Sequence, residues 1–252
     1  MCRNVLVTGA ASGIGLEIVK KMSDLDYQII LTGRDIDKVN SCVNKIGKSN
    51  VMGCHLDITN EESIIEAFNY ARKRIGKIDT LINNAGAWSA GSIVDLTKDD
   101  WLQMYDTNIF GPAISCKYFV KQFITEYDKQ SKGYIVNIGS NAVYQNFENQ
   151  IHYNSSKAAL ISLTKGLSKE VARYNINVNA VCPGSVNTKM FDKVMSEFGK
   201  KGISIAEEDI YPPQLKRFVT VDEVAETVIF LTSSKADAIR GHVITVDGGS
   251  SL

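Results

Sequence analysis

Tyr153 and Lys157 stand four residues apart in the stretch HYNSSK, residues 152–157. On a helix, positions i and i+4 share a face one turn apart, so this spacing would set a phenol beside an ammonium. A free phenol has a pKa of about 10 and is a poor base near neutrality. A neighbouring positive charge favours phenolate and should lower that value, which suits the pair to general acid–base work. Ser140 ends the run IVNIGS, at the carboxyl end of a strand, where α/β sheets put their ligand crevice. Each has a plain reading too: Tyr153 as a surface tyrosine with a helical neighbour, Ser140 as the cap of a turn.

A second cluster lies in TGAASGIG, residues 8–15, with Gly9, Gly13 and Gly15. Glycines there let the backbone turn sharply and come close to a ligand, while the following helix points free N–H groups at a pyrophosphate. Taken alone, the cluster is also an ordinary strand-to-helix turn. Its place right after the first strand favours the phosphate reading.

The elements that must hold these groups alternate along the chain. Strands are expected at 4–8, 28–32, 51–55, 80–84, 134–138, 177–181 and 242–246, with helices near 13–24, 35–47, 60–75, 98–127, 150–174 and 221–232. Strands separated by helices imply right-handed crossovers and a parallel sheet covered on both faces. Thr59-Asn60-Glu61-Glu62 and Thr220-Val221-Asp222-Glu223 read as capping boxes. Leu160, Leu163, Leu167 and Val171 form an apolar stripe that would leave Tyr153 and Lys157 to another surface. Trp101, Tyr105, Ile109, Cys116, Phe119 and Phe123 form another, interrupted by Gly111-Pro112. Proline has no N–H, so the Asn108 carbonyl is expected to lose its helical partner and become available to water. No linker or repeat divides residues 1–252, which read as a single domain with a substrate-loop insertion at about 187–219.

Bulk composition narrows the class. Hydrophobic residues make up 44% of 252, enough for a sizeable core, and Lys+Arg balances Asp+Glu at 28 each. A formal charge of zero argues against a nucleic-acid binder or a polybasic membrane anchor. No run approaches the roughly 18 apolar residues of a membrane span, and no secretory signal is evident. Five scattered cysteines (2, 42, 54, 116 and 182) without a CxxC pair fit reduced thiols and a cytoplasmic location. His55, His152 and His242 have no metal-like spacing, so no metal is expected and His152 reads as an ordinary helix-start residue. Arg3 and Arg240 read as surface charges.

The glycine spacing is G-x-x-x-G-x-G, and with it the sequence resembles the short-chain dehydrogenases/reductases, most of all the bacterial 3-oxoacyl-[acyl-carrier-protein] reductases. Asp57, NNAG at 83–86, Asn108, Ser140, Tyr153-x-x-x-Lys157, PGSVNT at 183–188 and GHVITVDGG at 241–249 all match that pattern. The resemblance covers essentially the whole chain. It implies a single Rossmann-type doubly wound α/β domain whose seven-stranded parallel sheet runs in the order 3-2-1-4-5-6-7. It also implies a nicotinamide cofactor bound by Gly9, Ser12, Gly13, Ile14, Gly15, Arg34, Asp57, Ile58, Asn84, Ala85, Gly86, Tyr153, Lys157, Pro183, Gly184, Val186 and Thr188. Asp57 would meet the adenine, Asn84 would pack beneath the cofactor and Thr188 would meet the carboxamide. Catalysis would fall to Asn108, Ser140, Tyr153 and Lys157, with Asn108 holding a water of a proton relay.

The end of the second strand, ILTGRD, bears on which cofactor. By the resemblance, the acidic position of an NAD site is Gly33 here, followed by Arg34. Gly33 has no carboxylate to repel a 2′-phosphate, and Arg34 can bind one with a charge-assisted fork. Asp35 reads as the N-cap of the next helix. Ala11 and Ser12 lack the second basic residue that the family often places in the glycine loop. NADP(H) is the expected cofactor, with NAD(H) as the alternative.

These features imply hydride transfer between NADP(H) and a ketone or secondary alcohol, as in a carbonyl reductase acting on a 3-oxoacyl thioester, sugar or steroid-like substrate. Trp88, Tyr144, Phe147 and Tyr211 would line an apolar pocket. Lysines 121, 129, 132, 200 and 201 are scattered and form no unmistakable patch for an acidic carrier protein. Two rivals stand beside this reading. One is an NAD-preferring alcohol dehydrogenase of the same family. The other is an NAD(P)-sensing binding protein without catalysis, expected to have lost Tyr153, Lys157 or Ser140. The resemblance also implies a homotetramer (or a dimer), with helices 98–127 and 150–174 at one interface and the C-terminal segment at another.

Overall fold

Strand β1 (Arg3–Val7) divides its side chains between two cores. Val5 and Val7 join one cluster, while Leu6 between them joins the other. β2 (Tyr27–Gly33) repeats the division, with Ile29 and Leu31 on one side and Ile30 on the other. Successive strand residues point to opposite faces, so a strand buried on both sides must be apolar throughout. Seven such strands pair in parallel in the order β3-β2-β1-β4-β5-β6-β7. The remaining strands are β3 (Val51–His55), β4 (Thr80–Asn83), β5 (Gly133–Ile138), β6 (Ile176–Pro183) and β7 (Val243–Val246). The computed structural model describes residues 3–126, 128, 130–203, 210–212 and 214–252. Cys2, Lys129, the end of the expected helix 98–127 and positions 204–209 and 213 of the expected insertion lie outside the described residues.

Helices cover both faces of the sheet. On one side α1 (Gly13–Ser23), α2 (Ile36–Ile46) and α9 (Val221–Leu231) contribute Ile18, Met22, Val39, Val224 and Val228 to the core. On the other, α3 (Glu61–Ile75), α5 (Gly111–Thr125) and α7 (Ile151–Val171) contribute Ile64, Phe68, Phe119, Phe123 and Val171. The strand order reverses between β2-β1 and β4-β5. That switch point opens a crevice at the carboxyl ends of the strands.

Four local readings are corrected. Thr59 does not cap α3: its hydroxyl and N–H donate to Asp57, and Asn60 takes the cap by accepting from the Ser63 N–H at 3.0 Å. The Thr220–Glu223 box forms as read. The expected helix 98–127 is α4 (Lys98–Tyr105) and α5 joined by a π turn, Asp106–Phe110, in which Gly111 N–H reaches the Asp106 carbonyl. A widened turn absorbs the hydrogen bond that Pro112 cannot make. The stretch read as an irregular insertion begins with a 12-residue helix, α8 (Lys189–Lys200), whose cap is Thr188. Phe191, Val194 and Phe198 repeat at helical spacing there. A one-turn helix, α6 (Ala142–Gln145), also follows β5. Lys157, finally, lies on the buried stripe of α7 with Leu160, Ile161, Thr164 and Ser168, while Leu163 and Leu167 only flank it.

Candidate active site

One cleft of about 1410 Å³ runs along the carboxyl ends of the central strands. Its lining includes Gly9 and Ser12 of the loop between β1 and α1, and Gly13 and Ile14 of the first turn of α1. Gly9 is required twice over: its φ of +63° is left-handed, and a Cβ there would sit 2.7 Å from the Ala85 Cα. Asn84 fastens this loop, donating from Nδ2 to the carbonyls of Thr8 at 3.1 Å and Gly9 at 2.9 Å. The Thr8 hydroxyl accepts from the N–H groups of Asn84 and Ala85, so the ends of β1 and β4 are laced together. The result is a close-fitting backbone cradle before a helix N-terminus, which fits a pyrophosphate.

At the end of β2, Arg34 and Lys38 present exposed positive side chains to the cleft beside Gly33. Asp35 is committed as the α2 cap, accepting from the Lys38 N–H at 3.0 Å. A Cβ at Gly33 would meet Val39 Cγ2 at 3.2 Å, so the tight wall itself disfavours a carboxylate-bearing side chain. Burial opposes ionisation of Asp57, but hydrogen bonds from Thr59 and the charge of Arg34 hold its carboxyl below the usual range.

The cleft is also lined by Ile58, Ala85, Gly86, Ser140, Tyr153, Lys157, Pro183, Gly184, Val186 and Thr188. A buried polar chain sets α7 against the sheet. Asn83 Nδ2 donates to Asn137 Oδ1 at 2.8 Å, Asn137 Nδ2 to Thr164 Oγ1 at 2.9 Å, and Thr164 to the Leu160 carbonyl at 2.8 Å. Such a chain fixes the rotation of the helix, because each donor buried without its partner would be costly. Lys157, three turns before the end of that helical face, donates to the Ile138 carbonyl at 2.8 Å.

The electrostatics differ from the sequence expectation. Burial pushes the Tyr153 phenol up to about 12, opposed by its hydrogen bond with Ser140. Burial also pushes the Lys157 ammonium down to about 8. In the chain without nucleotide, the Lys157 ammonium alone therefore does not bring the phenol below its ordinary value. Both groups sit in an enclosed environment that disfavours charge, and the ammonium lies 6.0 Å from the phenol ring centre.

Three residues expected in the site do not line the cleft. Gly15 packs inside the fold, where a Cβ would meet Asn84 Nδ2 at 2.4 Å and the Ala10 Cα at 2.9 Å. Asp57 accepts from the Thr59 N–H and hydroxyl at 3.0 Å and 2.8 Å. Asn108 is fully buried and acts as a fastener: Oδ1 accepts from Ala87 N–H at 2.8 Å, while Nδ2 reaches the Ala87 carbonyl and Ser156 Oγ, each at 3.0 Å.

Of the expected pocket aromatics, Trp88 and Phe147 line the cleft and Tyr144 and Tyr211 do not. Tyr144 is half exposed, and Tyr211 packs edge-on against Phe218. Phe191 and Phe198 of α8 complete the wall instead, Phe198 meeting Trp88 edge-on at 5.4 Å between ring centres. His152 is not a simple helix-start residue: it is fully buried, with Nε2 2.8 Å from Ser89 Oγ. Arg3 is half buried and lies 4.7 Å over the Tyr134 ring, whereas Arg240 is exposed as read. Lys38 and α8 had legible signals, a lysine one turn after Arg34 and the 191/194/198 spacing. The Ser89–His152 pair had none, since it joins distant segments.

No group of metal-ligating side chains occurs among the described residues, and no helix among them is long and apolar enough to cross a membrane. Residues 3–198 match the short chain dehydrogenase family profile. The chain is 36% identical over 247 residues to a 3-oxoacyl-[acyl-carrier-protein] reductase of Buchnera aphidicola, covering 98% of this chain and 96% of that protein. An actinorhodin polyketide ketoreductase solved with NADPH superimposes with a TM-score of 0.90 at 30% identity, covering 99% of this chain and 97% of that one. A 3-ketoacyl-(acyl-carrier-protein) reductase of Brucella melitensis solved with NADH gives 0.89 at 25% identity, with coverage of 99% and 98%.

Proposed function

The chain belongs to the short chain dehydrogenase family, and on that premise we propose that it is an NADP(H)-dependent carbonyl reductase. The observation that carries this reading is the continuity of the cleft. One cavity takes in the glycine loop together with Arg34, Ser140, Tyr153 and Lys157. The cradle fits a dinucleotide, which when bound supplies hydride to a carbonyl carbon.

The side chains then have distinct tasks. Ser140 holds the carbonyl oxygen, and Tyr153 gives it a proton. A phenol that burial keeps protonated at neutral pH is suited to donating, which supports reduction as the working direction. Lys157 places its ammonium beneath the ribose position and replaces the proton on Tyr153 through a relay that includes water held at the Asn108 carbonyl. Arg34 and Lys38 supply positive charge for a 2′-phosphate at a place where Gly33 offers no carboxylate. Gly15, Asp57 and Asn108 serve by shaping and fastening, and Thr188 at the α8 cap meets the carboxamide.

α8 and the segment that follows it form a substrate lid. Trp88 and Phe191 give it an apolar wall suited to an acyl chain, a sugar face or a steroid. The cleft lining also includes Asp99, Asp100, Asp106 and Glu148 with Lys189 and Lys193. That balance favours a free small molecule over an acidic carrier protein. Exposed Leu102, Phe110, Ile124 and Ile151 on α4, the π turn, α5 and α7 support assembly into a homotetramer or dimer. Unpaired Cys42, Cys54, Cys116 and Cys182 fit a reducing cytoplasm.

Ser140, Tyr153 and Lys157, which the binding-protein rival would be expected to have lost, all line the cleft. Difference titration with NADPH and NADH, followed by NADPH oxidation against a ketone panel, tests the reading. Tighter NADPH binding with turnover is expected. Preference for NADH would favour the alcohol dehydrogenase alternative, and binding without turnover would favour the sensor.

A further inference from the structure

One buried ionisable side chain beside the cleft has no part in the proton transfer described above. His152, next to Tyr153 on α7, is fully buried, and its Nε2 lies 2.8 Å from the Ser89 hydroxyl oxygen. Ser89 lines the cleft beside Trp88. Among the described residues nothing bonds to His152 Nδ1, which is also buried, and the Trp101 ring packs against the imidazole at 6.1 Å between centres. Burial works against the charged ring, Lys201 adds to that effect and Asp100 opposes it. The neutral ring carries one proton.

Where that proton sits decides what Ser89 can do. A proton on Nδ1 would leave a buried N–H donor without a partner among the described residues, at the full desolvation cost of that group, whereas a proton on Nε2 is met by Ser89. The proton therefore belongs on Nε2, from which it is donated to Ser89 Oγ. A serine hydroxyl has one proton to give. With Oγ already accepting from His152, that proton is left for something in the cleft.

We infer that Ser89 donates a hydrogen bond to a second acceptor oxygen of the substrate, beyond the carbonyl held by Ser140 and Tyr153, and that His152 is the positioning residue that sets it in this role. The inference rests on the carbonyl-reduction reading. It narrows the substrate to ketones that carry another carbonyl oxygen, as a 3-oxo ester or thioester does. An unadorned ketone leaves the Ser89 hydroxyl unused, so the enzyme discriminates between the two by about one hydrogen bond.

The test compares kcat/KM for ethyl acetoacetate with that for 2-heptanone, a ketone of similar length without the ester, in the full chain with NADPH. Wild type prefers the oxo ester. Ser89→Ala narrows that preference about five- to tenfold. His152→Leu narrows it equally, whereas His152→Gln keeps it, because its amide nitrogen can donate to Ser89 in the same sense. Retention by His152→Gln separates positioning from a merely structural role, and Ser89→Ala decides the substrate contact even if His152→Leu does not fold. An unchanged ratio in Ser89→Ala, or no preference in wild type, overturns the inference and leaves carbonyl reduction standing. A narrowed ratio in His152→Gln overturns the role given to the imidazole. Turnover of neither substrate by a wild type that reduces other ketones of the panel overturns this inference alone, whereas turnover of no ketone in the panel overturns the carbonyl-reduction reading and this inference with it.

Discussion

Lys157 Nζ lies 6.0 Å from the centre of the Tyr153 ring and donates to the Ile138 carbonyl at 2.8 Å. The amine is thus anchored to the carboxyl end of β5, and burial dominates the protonation of both groups. Without nucleotide the phenol is held neutral up to about 12 and the amine loses its proton near about 8. The protein alone therefore provides a proton donor. Bringing the phenol below its ordinary value would require a further positive charge in the cleft to outweigh burial.

This arrangement has a measurable effect on stability. An unfolded lysine keeps its proton to 10.5, while native Lys157 releases it near about 8. Between those values the unfolded chain binds more protons, so native stability rises with pH. The gap is worth about 3 kcal/mol, most of it gained by pH 10. Above pH 10 the protonated Tyr153 works in the opposite sense. Urea unfolding of nucleotide-free wild type and Lys157→Met at pH 7.5 and pH 10 isolates the lysine. Wild type is expected to gain on the variant by about 2–3 kcal/mol, and a difference that does not move would contradict the burial of the amine.

Arg34 should control nucleotide choice. Arg34→Leu removes a charged donor at the place where Gly33 leaves room for a 2′-phosphate. NADPH affinity is expected to fall about tenfold or more, as for loss of a charge-assisted hydrogen bond, and NADH affinity by less than about threefold. Lys38→Leu should act in the same direction with a smaller effect. Equal losses for both nucleotides, measured by fluorescence titration, would show that Arg34 does not read the phosphate.

Asn108 should matter to stability before chemistry. Asn108→Leu strips Ala87 of hydrogen-bond partners for both its N–H and its carbonyl, at the base of the loop that carries Trp88 and Ser89. A cost of about 2–4 kcal/mol is expected in chemical denaturation, together with lost turnover. Full stability with lost turnover would mean that the side chain serves only the reaction.

The sheet and its covering helices were legible because both-sided burial writes unbroken apolar runs, as in Val5-Leu6-Val7, and helix starts carry local caps such as Thr220 with Glu223. The glycine loop and the Tyr153–Lys157 pair were legible because their chemistry depends on short spacings along one segment. What the sequence hid depends on other segments. Whether Lys157 faces the core is settled by the Asn83–Asn137–Thr164 chain, which joins three elements. The π turn before Pro112 depends on how α5 must dock. The Ser89–His152 contact spans 63 positions. The direction of the Tyr153 shift depends on enclosure, which no spacing reveals.

Proton donation from Tyr153 to a carbonyl carries most of the proposed mechanism. NADPH oxidation with a ketone substrate, followed at saturating cofactor in wild type and Tyr153→Phe, tests it directly, since phenylalanine keeps the ring and removes only the hydroxyl. The account predicts a fall in kcat of roughly 10²–10⁴ with NADPH binding retained. Turnover within a few-fold of wild type would contradict it.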